Sequence, residues 1–384
     1  MQPGMKKLAL ALLTTGAVAA CSEPVTSTAP APPTQVSASA VKFWEVGSSV
    51  RWNRRSVALF RARGGGTGRT MAYLSLAQYR AVLAAHDGKQ GSMHPSPAAA
   101  AAGASVAVLV RFYPLDSAAL EAEIDAQSAE TPWPGEKNKD WAAGEAIGRA
   151  IGAATLAFAS TDNLNLTNPG SPPVGPGYWS SATPSARGNY GARPFFISAN
   201  EVILPPPPAF GSPAYLAALA EVRSASDNRT PAQVAISQKW APFGSILYNL
   251  FAGDMIEKYR VSEVEAARIY AYANTAAFDA IVACFENKFR YWFIRPSKAD
   301  VGITTAVGLP NHPSYPSAHS CESGAFRIIL ADAFPLETSV LAGMEQEAAD
   351  SRFLGGLHYR FDNEAGVALG HIVGQLALAR GGLE

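Results

Sequence analysis

Cysteine is scarce in this sequence, charge of neither sign is in excess, and long apolar runs are missing after the N-terminus. Three cysteines occur among 384 residues, and 31 lysines and arginines balance 31 acidic residues. A chain without net charge has no general preference for nucleic acid or acidic membranes, so neither is expected as a partner. No later segment reaches the roughly 18 uninterrupted apolar residues of a spanning helix, and the body is expected to be soluble. Cysteine and histidine also never cluster at the spacing of a zinc site.

The N-terminus has the pattern of an export signal. Two lysines precede a short apolar run from Leu8, and the segment VAAC ends at Cys21. The run is too short for an ordinary membrane-spanning helix, and its ending resembles a bacterial lipoprotein signal. We expect residues 1–21 to be a signal peptide with a lipid on Cys21. A plain signal peptide that contains this cysteine is the alternative. Because Ser22 follows, the expected location is the periplasmic face, anchored to the outer membrane only through the lipid.

Residues 22–42 are rich in proline, serine and threonine and lack the apolar residues needed to fold, which predicts a tether. From Phe43 the chain alternates helical patterns with connections rich in proline and glycine. Apolar residues recur at helical spacing in 70–86, and two alanine-rich segments, 96–113 and 142–160, predict helices that pack through small faces. No strand pattern and no internal repeat is visible. The sequence predicts one all-α domain over 43–384, a bundle of about ten helices.

Two cysteines lie within this domain, Cys284 and Cys321. Disulfides persist in an oxidising compartment, so the two could pair after export. Spacing does not decide connectivity, and two buried free thiols are the equal alternative.

Lys288 and Arg295 stand seven residues apart, and Pro296 follows the arginine. Positions seven apart lie on one face of a helix that has 3.6 residues per turn. The residue before a proline is disfavoured in the α region, so the helix is expected to end near Arg295. The spacing predicts two cations pointing the same way from a helix end, with an ordinary solvated basic face as the alternative.

The stretch NHPSYPSAHSCESGAF, residues 311–326, contains a predicted helix start. Ser317 occupies the position of an N-cap, and His319 falls in the first turn. The first amides of a helix have no intrahelical partner and form a natural binding site for an oxyanion. The stretch therefore predicts an anion site with a histidine beside it. A surface histidine near a cap is the alternative.

A third stretch, DSRFLGGLHYRFDNEAG, places His358 and Asp362 at positions i and i+4, which are neighbours on a helix. A carboxylate beside an imidazole fixes its tautomer and strengthens it as a ligand or nucleophile. Arg352 is out of phase with His358 on one straight helix. The pair Gly355-Gly356 resolves this, because one helix can end near Arg352 and a second begin near His358. Both side chains can then reach one pocket.

The order and spacing of these three stretches resemble the signature shared by vanadium-dependent haloperoxidases and the acid phosphatases of the phosphatidic acid phosphatase type 2 superfamily. The usual second motif there is Pro-Ser-Gly-His, and Ala318 replaces its glycine here. The backbone amide is retained, but the added methyl group is expected to crowd a bound anion. The resemblance implies an all-helical fold with the anion site within residues 284–366.

The resemblance also implies a role for each motif residue. Three cations, Lys288, Arg295 and Arg352, would neutralise a tetrahedral oxyanion. The hydroxyl of Ser317 and the amide of Ala318 would donate hydrogen bonds to it. His319 would be the acid/base. His358 would bond the vanadium of vanadate or attack phosphorus, and Asp362 would orient it.

Vanadate and phosphate are similar tetrahedral anions, and both chemistries fit these residues. In a haloperoxidase the cofactor is vanadate and the substrates are hydrogen peroxide and halide. In a periplasmic acid phosphatase the substrates are phosphate esters, no cofactor is needed, and His358 is the nucleophile. The runs KFRYWFIRP and GLHYRFDNEAGVALG, and the long N-terminal half, resemble soluble bacterial haloperoxidase-like proteins, so the haloperoxidase reaction is the first prediction. A non-catalytic, lipid-anchored binding protein is the third, supported only by Ala318.

His312 bears on the choice of halide. It lies seven residues before His319, where the resemblance places a histidine in algal bromoperoxidases and an aromatic residue in chloroperoxidases. A loop histidine without a role is the equal alternative.

Overall fold

The structure is a computed structural model that describes residues 47–65, 67–88, 94–130, 139–164, 168–183, 186–198, 200–242 and 244–383. The predicted signal peptide, the lipid site at Cys21 and the tether lie outside the described residues. The boundaries assigned to these segments and to the domain therefore stay predictions.

The prediction of an all-α fold is confirmed. The described residues form thirteen α-helices. These are α1 Ser48–Arg63, α2 Thr67–Asp87, α3 Pro97–Phe112, α4 Ser117–Ala129, α5 Trp141–Ala159, α6 Pro213–Asp227, α7 Pro231–Lys239, α8 Ser245–Tyr259, α9 Glu263–Tyr291, α10 Pro296–Ala299, α11 Ala318–Ala333, α12 Thr338–Leu354 and α13 Arg360–Arg380. Two 3₁₀ turns, Pro114–Asp116 and Pro335–Glu337, precede α4 and α12, and β1 His94–Pro95 pairs in parallel with β2 Lys139–Asp140. The predicted number of helices was too low, partly because α7 and α10 are short.

Helix α9 is the central element. It begins after Ser262, whose hydroxyl accepts a hydrogen bond from the amide of Glu265 at 3.3 Å. Nearly every residue from Ala266 to Phe289 is buried. Although it carries buried polar residues such as Asp279 and Lys288, α9 is surrounded by other elements and packs against α2, α11 and α13. Its C-terminal end carries Lys288 into the interior.

Small residues bring two helix pairs into close contact, as predicted for the alanine-rich segments. A Cβ atom on Gly103 of α3 would lie 2.5 Å from the carbonyl oxygen of Glu145 on α5. The same holds between α11 and α13, where a Cβ atom on Gly366 would lie 2.6 Å from the carbonyl oxygen of Ser317. Only glycine permits so close an approach. The second contact sets the start of α11 against the first turns of α13.

The long segment rich in proline and glycine before α6 is fastened to the C-terminal half of α9. The amide of Trp179 donates to the carbonyl oxygen of Trp292 at 2.5 Å. Buried Asp279 accepts from the amides of Phe195 at 2.8 Å and Phe196 at 2.6 Å. These hydrogen bonds satisfy backbone amides that lie outside the helices and strands. Among the described helices, none combines the length and the apolar character that crossing a membrane requires.

Candidate oxyanion site

Lys288 and Arg295 do not share one helix face, which corrects the sequence prediction. Helix α9 ends at Tyr291, because Trp292 adopts a left-handed conformation with φ of 48° and caps it. Arg295 lies beyond the turn, as the N-cap of α10. The turn, and not helical periodicity, brings the arginine back toward the lysine.

Lys288 is completely buried, with 0 % of its surface exposed. Its Nζ donates to the carbonyl oxygens of Pro313 at 2.9 Å, Ser314 at 2.8 Å and Pro316. An ammonium group has three protons to donate, so this lysine fixes the loop that precedes α11. Burial lowers the pKa of Lys288 to about 8, and the group is mainly charged at neutral pH.

Arg295 is also completely buried. Its Nε donates to the carbonyl oxygen of His312 at 2.8 Å, and Nη1 donates to the carbonyl oxygen of Leu357 at 2.9 Å. Nη1 lies 3.3 Å from Nε2 of His358, and Nη2 donates to Nδ1 of His312 at 3.1 Å. The guanidinium of Arg295 therefore links the stretch that contains His312 with the stretch that contains His358.

Arg352 lies near the end of α12 and is 2 % exposed. Its Nε donates to Oγ of Ser351 at 2.9 Å, and Nη2 donates to the carbonyl oxygen of Ser237 at 2.8 Å. Among the hydrogen bonds of the described residues, none involves its Nη1. One side of the guanidinium can thus donate to a ligand.

Among the described residues, Asp362 is the acidic group whose charge acts on buried Lys288 and Arg295. No ion pair between Lys288, Arg295 or Arg352 and a carboxylate occurs among the described residues, whereas the surface of the same part of the chain has many. Burial lowers the pKa of both arginines to about 10, which leaves them charged. Buried charges are normally paired, so this arrangement favours an anionic ligand.

Ser317 is the N-cap of α11, as predicted, but its hydroxyl does not cap the helix. Within the described part of the chain its buried Oγ has no hydrogen-bond partner. Ala318 is the first helical residue, and it is buried within the main hydrophobic cluster. It is not among the described residues with positive φ, so its backbone conformation does not require glycine. The hydroxyl and the amides of this turn are donors suited to an oxyanion.

His319 lies in the first turn of α11, partly buried. Its ring lies close to the backbone of Trp240 and Pro242. Burial, with an added effect from Arg352, lowers the pKa of His319 to about 3. The neutral ring is therefore held at the edge of the cation cluster, and a bound anion would favour its protonated form.

His358 precedes α13 and does not lie on it, although the predicted contact with Asp362 is present. Nδ1 of His358 lies 2.9 Å from Oδ2 of Asp362. That oxygen also accepts from Oγ of Ser314 at 2.5 Å and from the amide of Tyr359 at 3.2 Å. Burial and the two cations Arg295 and Lys288 hold the pKa of His358 well below its usual value. The tautomer in which Nδ1 donates to the carboxylate leaves the lone pair on Nε2, and in this structure Nη1 of Arg295 lies 3.3 Å from that atom.

The turn at Gly355-Gly356 is where the sequence placed it. Helix α12 ends at Leu354, Gly356 has a φ of 72°, and α13 begins at Arg360. The amides of Leu357 and His358 both donate to the carbonyl oxygen of Arg352, at 3.0 and 3.3 Å. Arg352 and His358 are thereby fixed to each other across the turn.

His312 is part of the cluster through Arg295 and packs against the ring of Phe285, at 5.0 Å between centroids. Burial and the nearby Lys288 and Arg295 lower its pKa well below the ordinary histidine value.

Cys284 and Cys321 are buried free thiols and do not form a disulfide. Of the two alternatives left open by the sequence, the structure has the free thiols. Sγ of Cys284 lies 3.8 Å from the carbonyl oxygen of Pro316, in the loop that precedes α11.

These residues fit a tetrahedral oxyanion. The described residues supply three buried cations without an ion pair, a buried hydroxyl without a hydrogen-bond partner and a helix start, and backbone hydrogen bonds join Ser317 to Asp362 and His358 to Arg352. Vanadate is such an anion, and the residues that would hold it are Arg295, Ser317, Ala318, Arg352 and His358, with Lys288 adding its positive charge while its three donors fix the loop. Phosphate matches the same donors equally well.

Sequence reasoning missed three contributors. Ser314 donates to the carboxylate of Asp362, and the backbones of Trp240 and Pro242 lie beside His319. Ser314 lies between prolines in a loop, and Trp240 is distant in sequence. Neither forms a short-range pattern, so only the fold reveals them.

No protein-family model matches the chain, and no curated protein sequence matches it. Solved structures do. The structure described as the first bacterial vanadium-dependent iodoperoxidase is 21% identical with a TM-score of 0.72, covering 88% of this chain and 97% of that one. A bacterial vanadium-dependent chloroperoxidase of the apo type is 16% identical with a TM-score of 0.64, covering 80% and 92%. Its holo-type counterpart is 16% identical with a TM-score of 0.66, covering 88% and 93%. At these identities the similarity establishes the architecture: the chain has the fold of the vanadium-dependent haloperoxidases.

Proposed function

We propose that this protein is a vanadate-dependent haloperoxidase that oxidises halide with hydrogen peroxide. The observation that carries the proposal is the cluster of Lys288, Arg295 and Arg352, three buried cations that form no ion pair with a carboxylate in the described part of the chain. Buried charges are normally compensated, and an anionic ligand would add to the charge of Asp362, which already acts on Lys288 and Arg295. His358 at its edge supplies the nitrogen that vanadium would bond.

Vanadate, when bound, supplies the activation of peroxide toward attack by halide. The residues of the chain bind the anion and orient the reacting groups. Arg295 and Arg352 neutralise the anion, and preorganised donors of this kind need no rearrangement during the reaction. Ser317 and the first amides of α11 donate hydrogen bonds, and Lys288 holds their loop through three carbonyl oxygens.

The two histidines have separate tasks. Nδ1 of His358 lies 2.9 Å from Oδ2 of Asp362, and donation to that carboxylate leaves the lone pair on Nε2, beside Arg295, for the anion. His319 is the acid/base that accepts a proton from peroxide and returns it to a leaving oxygen. General acid–base catalysis of this type contributes about 10²–10⁴-fold to a rate.

The choice of vanadate over phosphate rests on the structural neighbours, which are described as an iodoperoxidase and chloroperoxidases and which align over 80% or more of this chain. An acid phosphatase is the second candidate. The pairing of His358 with Asp362 also suits a histidine nucleophile, and His319 would then protonate the leaving oxygen.

Orthovanadate titration of the purified protein tests the proposal. Bromination of a phenol reporter by peroxide and bromide is followed beside hydrolysis of an aryl phosphate. We expect bromination that depends on vanadate and disappears in His358→Ala. His371→Ala is the matched control, because His371 also pairs with a carboxylate, that of Glu345 at 2.6 Å, but lies away from the cations.

Three other outcomes are distinguishable. Ester hydrolysis that vanadate inhibits, without bromination, identifies a phosphatase. Binding of either anion without turnover identifies a binding protein on this fold. Equal loss of activity in His358→Ala and His371→Ala refutes the assignment of the site.

His312→Phe tests the halide. The ring of His312 accepts a hydrogen bond from Arg295 at 3.1 Å, and phenylalanine removes that acceptor while keeping a ring against Phe285. We expect the ratio of bromide to chloride turnover to change. An unchanged ratio shows that His312 has no part in halide selection.

A further inference from the structure

A groove on the surface between α12 and α13 is lined by residues of these two helices. Its volume is about 360 Å³, within the roughly 300–1,000 Å³ of small-molecule sites. Ala349 and Val367 supply apolar surface, and Asp350 and Glu364 supply a carboxylate from each helix. Asn363 also lines the groove, although this residue is only 4 % exposed. Small-molecule sites usually combine apolar walls with a few polar groups in this way.

The side-chain amide of Asn363 is only half satisfied. Its Oδ1 accepts from Oγ of Ser320 on α11 at 3.2 Å. Among the hydrogen bonds of the described residues, none involves its Nδ2. Buried polar groups in native proteins almost always have a partner. An unused donor in the wall of a groove therefore indicates a ligand that brings an acceptor.

The carboxylates of Asp350 and Glu364 give the groove an excess of negative charge. Arg360 lies at the same groove, but its Nε donates to Oε1 of Glu221 at 2.8 Å and its Nη2 lies 2.7 Å from the same oxygen. Its Nη1 is 4.0 Å from Oδ1 of Asp350, too far for a hydrogen bond. No ion pair of Glu364 occurs in the described part of the chain. A cleft lined by charge of one sign attracts ligands of the opposite sign.

We infer that this groove binds a small organic ammonium ion that carries a carbonyl group beside an apolar side chain. The ammonium group has three protons to donate and serves the carboxylates of Asp350 and Glu364. The carbonyl oxygen accepts from Nδ2 of Asn363, and the apolar part lies against Ala349 and Val367. The ligand has the opposite charge to an oxyanion, so the groove is a second site, and the inference does not rest on the proposed function.

Three matched compounds test the chemistry of the ligand by titration calorimetry of the purified full chain, without vanadate or peroxide. L-Leucinamide has the ammonium, the carbonyl group and an apolar side chain. N-acetyl-L-leucinamide lacks the charge, and 3-methylbutylamine lacks the carbonyl group. We expect leucinamide to bind at one site, and each of the other two to bind about 10-fold more weakly, because each loses one hydrogen-bonded group.

The double variant Asp350→Asn with Glu364→Gln removes both charges and keeps the size of the side chains. We expect it to weaken leucinamide about 10-fold and to leave N-acetyl-leucinamide unchanged. The side chain of Asp350 is 39 % exposed and Glu364 is exposed, so the fold should tolerate both changes. Asp254→Asn is the matched control. Its carboxylate is 63 % exposed and pairs with Arg54 at 2.8 Å on a different part of the surface, and its loss should change the affinity by less than about 2-fold.

Asn363→Leu tests the contact with the carbonyl group. Leucine has a similar size but no donor, so leucinamide should bind this variant no better than 3-methylbutylamine does, while the affinity of 3-methylbutylamine stays the same. Asn363 also accepts from Ser320. If the variant does not fold, the charge variant and the three compounds still decide the question.

Three results would overturn the inference. Leucinamide shows no saturable binding, it binds no more tightly than its N-acetyl derivative, or Asp254→Asn weakens it as much as the double variant does. The titrations contain neither vanadate nor peroxide. A chain that binds leucinamide but neither halogenates nor hydrolyses a substrate therefore retains this site and loses only the proposed function.

Discussion

Replacing Gly366 by alanine tests whether the contact between α11 and α13 builds the site. The new Cβ atom would lie 2.6 Å from the carbonyl oxygen of Ser317 and 2.7 Å from Cβ of Ser320. The first neighbour is backbone, so the start of α11 must move. Overpacking costs about 1–3 kcal/mol, and a contact this short belongs at the upper end. Alanine recovers about 1 kcal/mol of helix propensity, which leaves a net loss of about 2 kcal/mol.

The expected change in melting temperature follows from the size of the domain. At about 2.1 cal/mol/K per residue and roughly 340 residues, the unfolding entropy is about 0.7 kcal/mol/K. A loss of about 2 kcal/mol then lowers Tm by about 3 °C. Because Ser317 and His319 move with the start of α11, the affinity for vanadate or phosphate should fall by about 10-fold or more.

Gly343→Ala is the matched control for Gly366→Ala. Gly343 lies in α12, is exposed, and has no atom within 4 Å of an added Cβ. Alanine should raise stability by about 0.4–1 kcal/mol there, or Tm by about 1 °C, with unchanged anion affinity. Scanning calorimetry and anion titration measure both variants. If Gly366→Ala behaves like Gly343→Ala in both assays, the helix contact does not position the site.

Ser314→Ala removes the donor 2.5 Å from Asp362 and should cost about 1–3 kcal/mol; a Tm equal to the wild type would show that the bond does not stabilise the fold. Burial raises the pKa of Asp279 to about 7, above its value in the unfolded chain. The folded state therefore holds an extra proton between the two pKa values, and its contribution to stability is lost as pH rises through about 7. Asparagine cannot ionise, so the Tm of Asp279→Asn should fall less than that of the wild type between pH 5 and 8; parallel curves would contradict the assignment. Cys21→Ala should abolish incorporation of labelled lipid, and labelling that persists would refute the predicted anchor.

The helices were predictable because apolar spacing, proline and glycine act locally. The start of α11 at Ser317 and the turn at Gly355-Gly356 are where the sequence placed them. Close packing of the alanine-rich helices also followed from residue size alone, and the structure has it between α3 and α5.

The path from Lys288 to Arg295 was not predictable. A tryptophan rarely adopts positive φ, so nothing in the sequence indicates that α9 ends at Tyr291. The prediction that both cations serve one site had an incorrect basis in helical periodicity, because Arg295 lies beyond the end of α9. Long-range partners such as Ser314 for Asp362 depend on how helices pack, which one sequence does not contain.

Burial of the three cations couples ligand binding to folding. Lys288, Arg295 and Arg352 leave water on folding without forming an ion pair with a carboxylate among the described residues, and this opposes the folded state. An oxyanion that binds only the folded chain adds about 2.7 kcal/mol of stability at a concentration 100 times its Kd. Folding and anion binding are then coupled equilibria. Phosphate and vanadate compete within it, and the resident anion is decided by the supply of each where the chain folds.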